Sequence, residues 1–345
     1  MRRGDVTGGA LLLDPSDGGA LERYLLAKGL AAATELPVRV EPAGAGNMNL
    51  TLRIRLRGRT FILKQGRPWV EKYNHIPAPW TRTLIEGRFY EEVAGHPRVA
   101  GLMPRLLYLD SPNHVLVIED LGVQGDLSSV YAGGPLSLQT VDALLEWLAA
   151  LAGVCPSSAA AEEDLSNIAM RKLNHEHLFD LPLREPNGLN LDVITPGLAQ
   201  AASDLKNDGR YRSRVAHLGD RYLADGPRLA HGDFFPGSWI PTGESVRIID
   251  PEFCFLGCRE FDYGTMVGHL GLARQSRTLA ERVLGAAADE GLDRCRILGF
   301  AGAEIMRRLI GVAQLPLAYG LEEKRRLLAV SRELVCDETG RLATW

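Results

Sequence analysis

The spacing of apolar residues changes along the chain, and this change limits the fold more than any other feature of the sequence. Between residues 50 and 56 every second side chain is apolar, whereas from Leu136 onward apolar residues recur at helical spacing. Strict alternation predicts half-buried antiparallel strands, and the later spacing predicts helices. The sequence therefore predicts an α+β protein with a β-rich N-terminal lobe, residues 1–120, and a mainly helical C-terminal lobe, residues 121–345.

The N-terminal lobe is predicted to contain an opening helix, several strands and one internal helix. Residues 19–33 have helical spacing, and Asp17 precedes them as a plausible cap. A second helical stretch, residues 82–93, interrupts the strand patterns. We expect antiparallel pairing of the strands, since turn residues separate them. The predicted strands cover residues 38–40, 50–56, 60–65, 104–110 and 115–121.

Composition limits the class of protein. The 345 residues are 46% hydrophobic and 24% charged, which is enough to bury a substantial core. The net charge is −4 without a basic block, so nothing indicates nucleic acid or a membrane surface as a partner. No apolar run is long enough for a membrane span or a signal peptide, so a cytoplasmic location is expected. The five scattered cysteines favour reduced thiols over disulfides.

The stretch from His231 to Asp262 holds three candidate catalytic carboxylates. Asp233 lies in a loop with glycine and proline, whereas Asp250 and Glu252 follow an apolar run that predicts a hairpin strand. Phosphoryl transfer needs one carboxylate to deprotonate the attacking hydroxyl and others to hold divalent ions. We assign the first role to Asp233 and magnesium binding to Asp250 and Glu252. The alternative is that all three acids are solvated loop residues.

Two features of the N-terminal lobe fit a nucleotide. A glycine turn at residues 44–49 joins two strands, as in folds that cover phosphates with a flap, although a plain hairpin is the commoner meaning. Lys64, one of six lysines, lies in an apolar strand and needs an anionic partner. Bound phosphate and Glu86 of the predicted helix are the two candidates. The alternative for Glu86 is a solvated surface charge.

The apolar strand that ends at Glu119, Asp120 and Leu121 is predicted to lead into the second lobe. This connection between the two lobes is expected to act as a hinge. Its backbone groups can pair with the edge of an adenine ring. The two acidic residues can equally cap the next helix.

A late helix carries two adjacent arginines, Arg307 and Arg308, among apolar residues. Such a pair usually consists of one exposed and one salt-bridged arginine. In a phosphotransferase the pair can also bind the substrate or the transferring phosphate, because a guanidinium is a planar, permanently charged fork.

Two other groups contain metal-binding residue types without a complete ligand set. His175 and His177 are two apart and share a face only in a strand, whereas residues 169–196 show no strand pattern and are predicted to be irregular. Cys254 and Cys258 lack a second cysteine pair or an adjacent histidine. We expect no zinc at either place.

Taken together, these residues resemble the aminoglycoside phosphotransferase and protein-kinase-like superfamily, and within it the methylthioribose kinases. The resemblance covers about residues 38–335. The superfamily loop usually has Asn five residues after its Asp; the Ser238 found there, with Asp250-Pro251-Glu252 afterwards, is similar to the methylthioribose kinases. Further matching segments are Gly46–Leu50, Lys64–Gln65, Ile85–Glu86, Glu119–Leu121, Phe261–Gly264 and Ile305–Arg308.

The resemblance implies a two-lobed protein-kinase-like fold and transfer of phosphate from ATP, with Mg²⁺, to the anomeric hydroxyl of 5-methylthioribose in methionine salvage. Asp233 would be the base, and Asp250 and Glu252 would hold magnesium. A small molecule would be the partner, and a homodimer stays open. By this resemblance Ser238, Arg307 and Arg308 complete the catalytic set, and the nucleotide contacts are Gly46, Asn47, Asn49, Lys64, Glu86, Glu119 and Leu121.

Two departures from the family pattern lie near the expected acceptor pocket. Phe234-Phe235-Pro236 stands where the family loop tends to have Leu-His-Thr, and Cys258-Arg259-Glu260 replaces a glycine-containing turn. The chemistry therefore transfers more safely than the substrate. Alternatives are another 5-substituted ribose, a nucleoside or an aminoglycoside-type antibiotic as acceptor, and a nucleotide-binding pseudokinase.

Overall fold

The structure is a computed structural model that describes residues 9–44, 48–243, 245–315 and 317–345. The chain forms two compact units, Met1–Gly125 and Asp126–Trp345. The lobes predicted from the sequence divide slightly earlier along the chain. In the described part of the chain every helix is too short or too polar to cross a lipid bilayer.

Unit 1 is built on an antiparallel sheet with the strand order β1-β2-β3-β7-β6, and β4 and β5 form a separate hairpin. In β2 every second side chain is buried, which confirms the predicted alternation. The strands are β1 (Arg39–Pro42), β2 (Leu50–Leu56), β3 (Arg59–Gln65), β4 (Trp69–Val70), β5 (Tyr73–Pro77), β6 (Leu106–Asp110) and β7 (Val115–Glu119).

The core of unit 1 lies between this sheet and the first helix. The helices are α1 (Gly18–Ala27), α2 (Arg82–Val93) and α3 (Pro97–Ala100). Leu21 and Leu25 of α1 share a buried cluster with the apolar residues of β2 and β3. Asp17 caps α1 as predicted, since its Oδ1 accepts a hydrogen bond from the N–H of Ala20 at 2.8 Å.

The hairpin of β4 and β5 was not predicted. Its first strand has two residues, and prolines at 68, 77 and 79 surround it. A strand this short shows no period, and proline is usually a signal against a strand. The sequence therefore offered no pattern to find it.

Unit 2 is mainly helical, as predicted, and its strands are short. Trp239–Thr242 and Ser245–Ile248 form the predicted hairpin, and a second short pair joins Leu229–Ala230 to Phe255–Leu256. The elements are α4 (Leu138–Leu151), α5 (Ala159–Ser166), α6 (Ile168–His175), α7 (Leu191–Ile194), α8 (Leu198–Asn207), α9 (Gly209–Leu223), β8 (Leu229–Ala230), β9 (Trp239–Thr242), β10 (Ser245–Ile248), β11 (Phe255–Leu256), α10 (Glu260–Leu272), α11 (Arg277–Asp289), α12 (Arg294–Ile310) and α13 (Leu321–Cys336).

Residues 198–223 form two helices, α8 and α9, which divide at Asp208, whose carboxylate caps α9. One prediction for unit 2 is wrong in detail. Residues 169–196 are not irregular throughout, because α6 and a π-helical turn, Glu176–Asp180, occupy their first part. The buried face of α6 includes Arg171 and Asn174, so an apolar periodicity could not reveal this helix.

Helices α10 and α12 pack closely, and this contact positions much of the site described below. A Cβ at Gly264 of α10 would lie 2.5 Å from the Cβ of Phe300 in α12. Glycine is therefore required for the helices to approach this closely. The contact brings polar residues of α10 beside polar residues of α12.

Candidate active site

The loop from His231 to Ser238 carries Asp233 and runs from β8 to β9. It ends in a 3-10 turn at Pro236–Ser238. Gly232 has a φ of +83°, and a Cβ there would lie 2.0 Å from the carbonyl oxygen of Phe253. Since no larger residue fits, glycine before Asp233 is a steric requirement of the loop.

Asp262, in the first turn of α10, holds the start of this loop. Its Oδ2 accepts a hydrogen bond from the N–H of His231 at 2.6 Å, and its Oδ1 accepts one from the N–H of Gly232 at 2.9 Å. Burial raises the pKa of Asp262 to about 7, although the two N–H groups favour its charged form. The carboxylate fixes the backbone directly before Asp233.

Aromatic packing anchors the loop on both sides of Asp233. Phe234 is fully buried, and its ring stacks on Trp147 of α4 with 5.5 Å between centroids. His231 packs edge-on against the same indole, and its Nε2 lies 3.0 Å from the carbonyl oxygen of Ile249. Asp233 is thus held between two residues that belong to the core.

Ser238 closes the loop. Its Oγ donates a hydrogen bond to the carbonyl oxygen of Asp233 at 2.9 Å, and the residue is buried. The described contact is therefore with the backbone of the candidate base. The catalytic role expected for Ser238 stays a prediction.

Asp250 follows β10 and turns the chain away from the hairpin. Its φ of 63° and ψ of 51° are left-handed, a conformation that aspartate adopts more readily than most residues. A 3-10 turn, Pro251–Phe253, follows directly. Burial raises the pKa of Asp233, and the negative charge of Asp250 adds to this rise. The hairpin therefore brings the two carboxylates close enough to interact.

Glu252 lies in that 3-10 turn, and the side chain of Asn167 holds the turn by hydrogen bonds. The Nδ2 of Asn167 donates hydrogen bonds to the carbonyl oxygens of Glu252 and Cys254, at 3.0 and 2.8 Å. Asn167 lies between α5 and α6 and is buried. The turn that carries the second candidate metal ligand is therefore fixed by a side chain that the sequence did not single out.

The carboxylates of Asp250 and Glu252 are hard oxygen donors of the kind that magnesium prefers. Within the described ranges, no group of three or more His, Cys, Asp or Glu side chains is placed to hold a metal ion. Magnesium often uses one or two carboxylates and completes its shell with water and phosphate oxygens. The donor set fits Mg²⁺ that binds together with a nucleotide.

Arg307 and Arg308, near the end of α12, both bind Glu304 of the same helix. Glu304 Oε2 accepts from Arg307 Nε at 2.8 Å, and Glu304 Oε1 accepts from Arg307 Nη2 and Arg308 Nε, each at 2.7 Å. Each arginine is only 7% exposed. The expected pattern of one exposed and one salt-bridged arginine is wrong, because residues three and four positions from Glu304 lie on its buried face.

The two arginines also face Asp233. Asp233 Oδ1 lies 3.6 Å from Arg308 Nη2 and 3.8 Å from Arg307 Nη2, which is ion-pair range but too long for hydrogen bonds. The Asp233 side chain is 24% exposed. Burial raises the pKa of Asp233, and the charges of Arg308 and Arg307 oppose this rise. The result is a carboxylate with increased basicity beside two fixed cations.

Two more buried side chains join this cluster. His269 of α10 places Nε2 2.9 Å from Glu304 Oε1, and the hydroxyl of Tyr131 lies 2.5 Å from His269 Nδ1. No role was predicted from the sequence for Glu304, His269 or Tyr131. The helical spacing before the arginines could have revealed Glu304, whereas no local signal connects Tyr131 with His269.

In unit 1 the predicted Lys64–Glu86 pair is confirmed. Lys64 Nζ lies 2.6 Å from Glu86 Oε1, and the two side chains are 5% and 0% exposed. The alternative of Glu86 as a solvated surface charge is therefore wrong. Contact of Lys64 with a nucleotide stays a prediction.

The other predicted nucleotide contacts are placed as follows. Asn49 Oδ1 accepts a hydrogen bond from Arg82 Nε at 2.7 Å. Glu119 ends β7, and its carboxylate accepts from the N–H of Arg105 at 3.2 Å, while Leu121 is half-buried. Gly46 and Asn47 lie outside the described residues. Their roles as nucleotide contacts stay predictions.

Comparison with known proteins gives the relatives of this chain. The phosphotransferase enzyme family, APH, matches residues 39–298. A methylthioribose kinase of Exiguobacterium sibiricum is 26% identical over 361 residues, covering 88% of this chain and 89% of the relative. A methylthioribose kinase of Geobacillus thermodenitrificans is 27% identical over 346 residues, covering 86% and 84%.

The structural comparison concerns the fold. A crystal structure of a choline/ethanolamine kinase family protein from Mesorhizobium loti superposes with a TM-score of 0.51 at 17% identity. The superposition covers 93% of this chain and 95% of that protein. The predicted α+β, protein-kinase-like fold is confirmed.

Proposed function

The chain belongs to the phosphotransferase enzyme family, and on that premise we propose that it is an ATP-dependent kinase of 5-methylthioribose. The γ-phosphoryl group of ATP is transferred to the anomeric hydroxyl, which gives the sugar 1-phosphate and ADP. The observation that carries the proposal is the position of Asp233, held in a rigid loop with two guanidinium groups 3.6 and 3.8 Å from its carboxylate. The methylthioribose kinases among the relatives supply the choice of sugar.

Asp233 acts as the general base. It accepts the proton of the sugar hydroxyl while the hydroxyl oxygen attacks the γ-phosphorus and ADP leaves. Burial raises the pKa of Asp233, which makes it a stronger proton acceptor than a solvated aspartate. The anchors at Asp262 and Trp147 keep the carboxylate in position, so little reorganisation is needed during the reaction.

Arg307 and Arg308 steady the sugar and the transferred phosphoryl group. The described contacts engage both side chains with Glu304, and neither makes a short bond to Asp233. We place the equatorial oxygens of the transferring phosphoryl group, which carry negative charge, opposite these two cations. Arginine suits this role, since its planar fork matches phosphate oxygens.

In unit 1, Lys64 contacts the phosphates of ATP. Glu86 orients its ammonium group at 2.6 Å and compensates its charge inside the unit. Glu119 and Leu121 offer backbone groups to the adenine ring. Gly46, Asn47 and Asn49 belong to the turn expected to cover the phosphates.

Asp250 and Glu252 would hold Mg²⁺. The ion, when bound, neutralises phosphate charge. Asp250 presents its carboxylate from the left-handed position after β10, and Asn167 fixes the turn of Glu252. A cytoplasmic location stays a prediction of the sequence, and a homodimer stays open.

An acceptor panel tests the proposal. ADP release from ATP and magnesium is measured with 5-methylthioribose, 5-deoxyribose, ribose, several nucleosides and a kanamycin-like aminoglycoside. We expect turnover on 5-methylthioribose far above the others and none without magnesium. The D204N variant changes an exposed aspartate of α8 in the same chemical way as D233N, and it is expected to keep full activity.

Other outcomes of the panel would change the assignment in defined ways. Preference for a nucleoside or an antibiotic would refute the acceptor and leave the catalytic roles intact. ATP binding without turnover on any acceptor would overturn the enzyme assignment in favour of a pseudokinase.

A further inference from the structure

A chain of buried polar side chains lies behind the arginine pair. It consists of Tyr131, His269 and Glu304, and each residue is at most 6% exposed. Tyr131 comes from a 3-10 segment, Leu127–Ala132, whereas His269 is in α10 and Glu304 is in α12. Three distant parts of unit 2 therefore converge on one network. Neither Tyr131 nor His269 has a role in the proposed reaction as described above.

Glu304 is the centre of this network, and it is ionised. Burial raises the pKa of Glu304, but the positive charges of Arg307 and Arg308 lower it by more. The pKa of Glu304 therefore lies well below its usual range. Its Oε1 accepts from His269 Nε2, Arg307 Nη2 and Arg308 Nε at 2.7 to 2.9 Å. Its Oε2 accepts from Arg307 Nε. The position of this carboxylate therefore determines where both guanidinium groups point.

The contacts define the protonation of His269. Burial lowers its pKa to about 4, so the ring is neutral at pH 7 and carries one N–H. An ionised Glu304 can only accept, so that N–H must be on Nε2. Nδ1 is then an acceptor, and the Tyr131 hydroxyl, whose pKa burial raises well above the usual value, is its donor at 2.5 Å. Hydrogen bonds therefore run from Tyr131 through His269 to Glu304.

We propose that Tyr131 and His269 are positioning residues, which hold Glu304 so that it aims Arg307 and Arg308 at Asp233. The proposal rests on the proposed function, since it needs the arginines to act on the transferred group. The Tyr131 hydroxyl donates to Nδ1 and holds the His269 ring in place, and the Nε2–H of that ring fixes one oxygen of Glu304. In metal sites, side chains that do not touch the metal orient its ligands. Tyr131 and His269 orient Arg307 and Arg308 in a comparable way, through Glu304.

Phe235 connects this network to the catalytic loop. Its ring lies 4.7 Å from the guanidinium carbon of Arg308 and 5.0 Å from the ring of His269, measured from the ring centroid. Phe235 follows Asp233 by two residues. A shift of His269 or Arg308 would therefore act on the loop as well as on the arginines. The structure thereby gives a role to one of the residues that depart from the family pattern.

The test combines imidazole NMR with kinetics. Long-range ¹H–¹⁵N correlation spectra of the full chain assign His269 by loss of its signals in H269Q. We expect the neutral Nε2–H tautomer in the wild type, and in Y131F the same tautomer with a shifted Nδ1 signal, because Nδ1 loses its hydrogen-bond donor. We expect kcat to fall about 3- to 10-fold in Y131F and about 10- to 100-fold in H269L, with the Kd for ATP unchanged. H269Q retains a donor toward Glu304, so it should recover part of the H269L loss.

Y211F is the matched control. Tyr211 is also buried in unit 2, and its hydroxyl lies 2.8 Å from Ser331 Oγ of α13. A purely structural effect would lower kcat equally in Y211F and Y131F, and that result would overturn the proposal. An Nδ1–H tautomer in the wild type would overturn it too. The tautomer of His269 is measured without substrate, and kcat is measured with any acceptor that the protein turns over. Failure of 5-methylthioribose as the acceptor is therefore distinguishable from failure of the proposal for Tyr131 and His269.

Discussion

The two units bury their charges in different ways. In unit 1, Lys64 and Glu86 form a buried ion pair at 2.6 Å. In unit 2, Glu304 binds both Arg307 and Arg308, and Asp233 lies beyond hydrogen-bond distance of the same arginines. The first arrangement is a cation and an anion at hydrogen-bond distance, whereas the second leaves cationic groups directed at a partly exposed carboxylate.

The difference indicates what each cluster can do. In the Lys64–Glu86 pair the carboxylate mainly orients the lysine, since it compensates the charge of the ammonium group at 2.6 Å. The unit 2 cluster contains two cations for the one anion that binds them directly, so it can attract a further anionic group. We infer that the chemistry depends on the geometry of unit 2, and that Lys64 and Glu86 position the nucleotide. The following predictions separate these two roles.

The largest effect is expected for D233N, which removes the base but keeps the shape of the side chain. General-base catalysis commonly contributes about 10²- to 10⁴-fold, so kcat should fall by that amount. Binding of ATP, measured by calorimetry, should be unchanged. The D204N control separates loss of the base from loss of an aspartate charge anywhere in the unit. A kcat within about twofold of the wild type would remove Asp233 from the mechanism.

The next effect concerns the stability of unit 1. E86Q removes the carboxylate that lies 2.6 Å from the ammonium group of the buried Lys64, which should lower the free energy of unfolding by about 3 to 5 kcal/mol. The double variant K64M/E86Q removes both charges and should recover at least about half of that loss. Denaturant unfolding measures both variants.

A surface pair on the same helix provides the control for this experiment. Arg88 and Glu91 of α2 lie 2.7 Å apart and are more than a third exposed. E91Q should therefore change the free energy of unfolding by less than about 1 kcal/mol. Equal losses in E86Q and E91Q would mean that burial of the Lys64 pair has no energetic consequence.

The smallest effect is the pH dependence that His269 adds. Burial lowers its pKa from 6.5 to about 4, so between these values the unfolded chain binds a proton that the folded chain does not. Its contribution is complete above pH 6.5 and is lost as the pH falls toward 4, by at most about 1.4 kcal/mol per pH unit. H269Q should therefore lose less free energy of unfolding between pH 7 and 4.5 than the wild type.

Replacement of an exposed histidine controls for the general effect of acid. His217 of α9 is exposed, and H217Q should keep the wild-type difference between pH 7 and 4.5. The same difference in H269Q and the wild type would contradict a neutral, buried His269.

The contrast between the units also explains how much could be predicted. Lys64 stood out because a lysine in an apolar strand is unusual, and Glu86 was available on the following helix. The hairpin before Asp250 followed from a run of β-branched residues bounded by turn residues. These signals are local, and a single sequence carries them.

The remaining features depend on long-range packing. Tyr131, His269 and Glu304 are far apart in the chain and meet because α10 and α12 approach closely at Gly264. Asp262 was recognised as part of a family motif, but its two bonds to the loop before Asp233 were not predicted. The burial of both Arg307 and Arg308 was not predicted, because a sequence does not show that a helix face with charged residues is buried.

The position of the phosphate in the product tests the central claim most directly, namely that Asp233 activates the anomeric hydroxyl of 5-methylthioribose. The product formed from ATP, magnesium and this sugar is examined by ³¹P NMR with correlation to sugar protons. The account predicts one phosphate signal coupled to the proton on C1 with the wild type, and no such signal with D233N over the same time. A phosphate on another carbon, or the same C1 product formed at an undiminished rate by D233N, would contradict it.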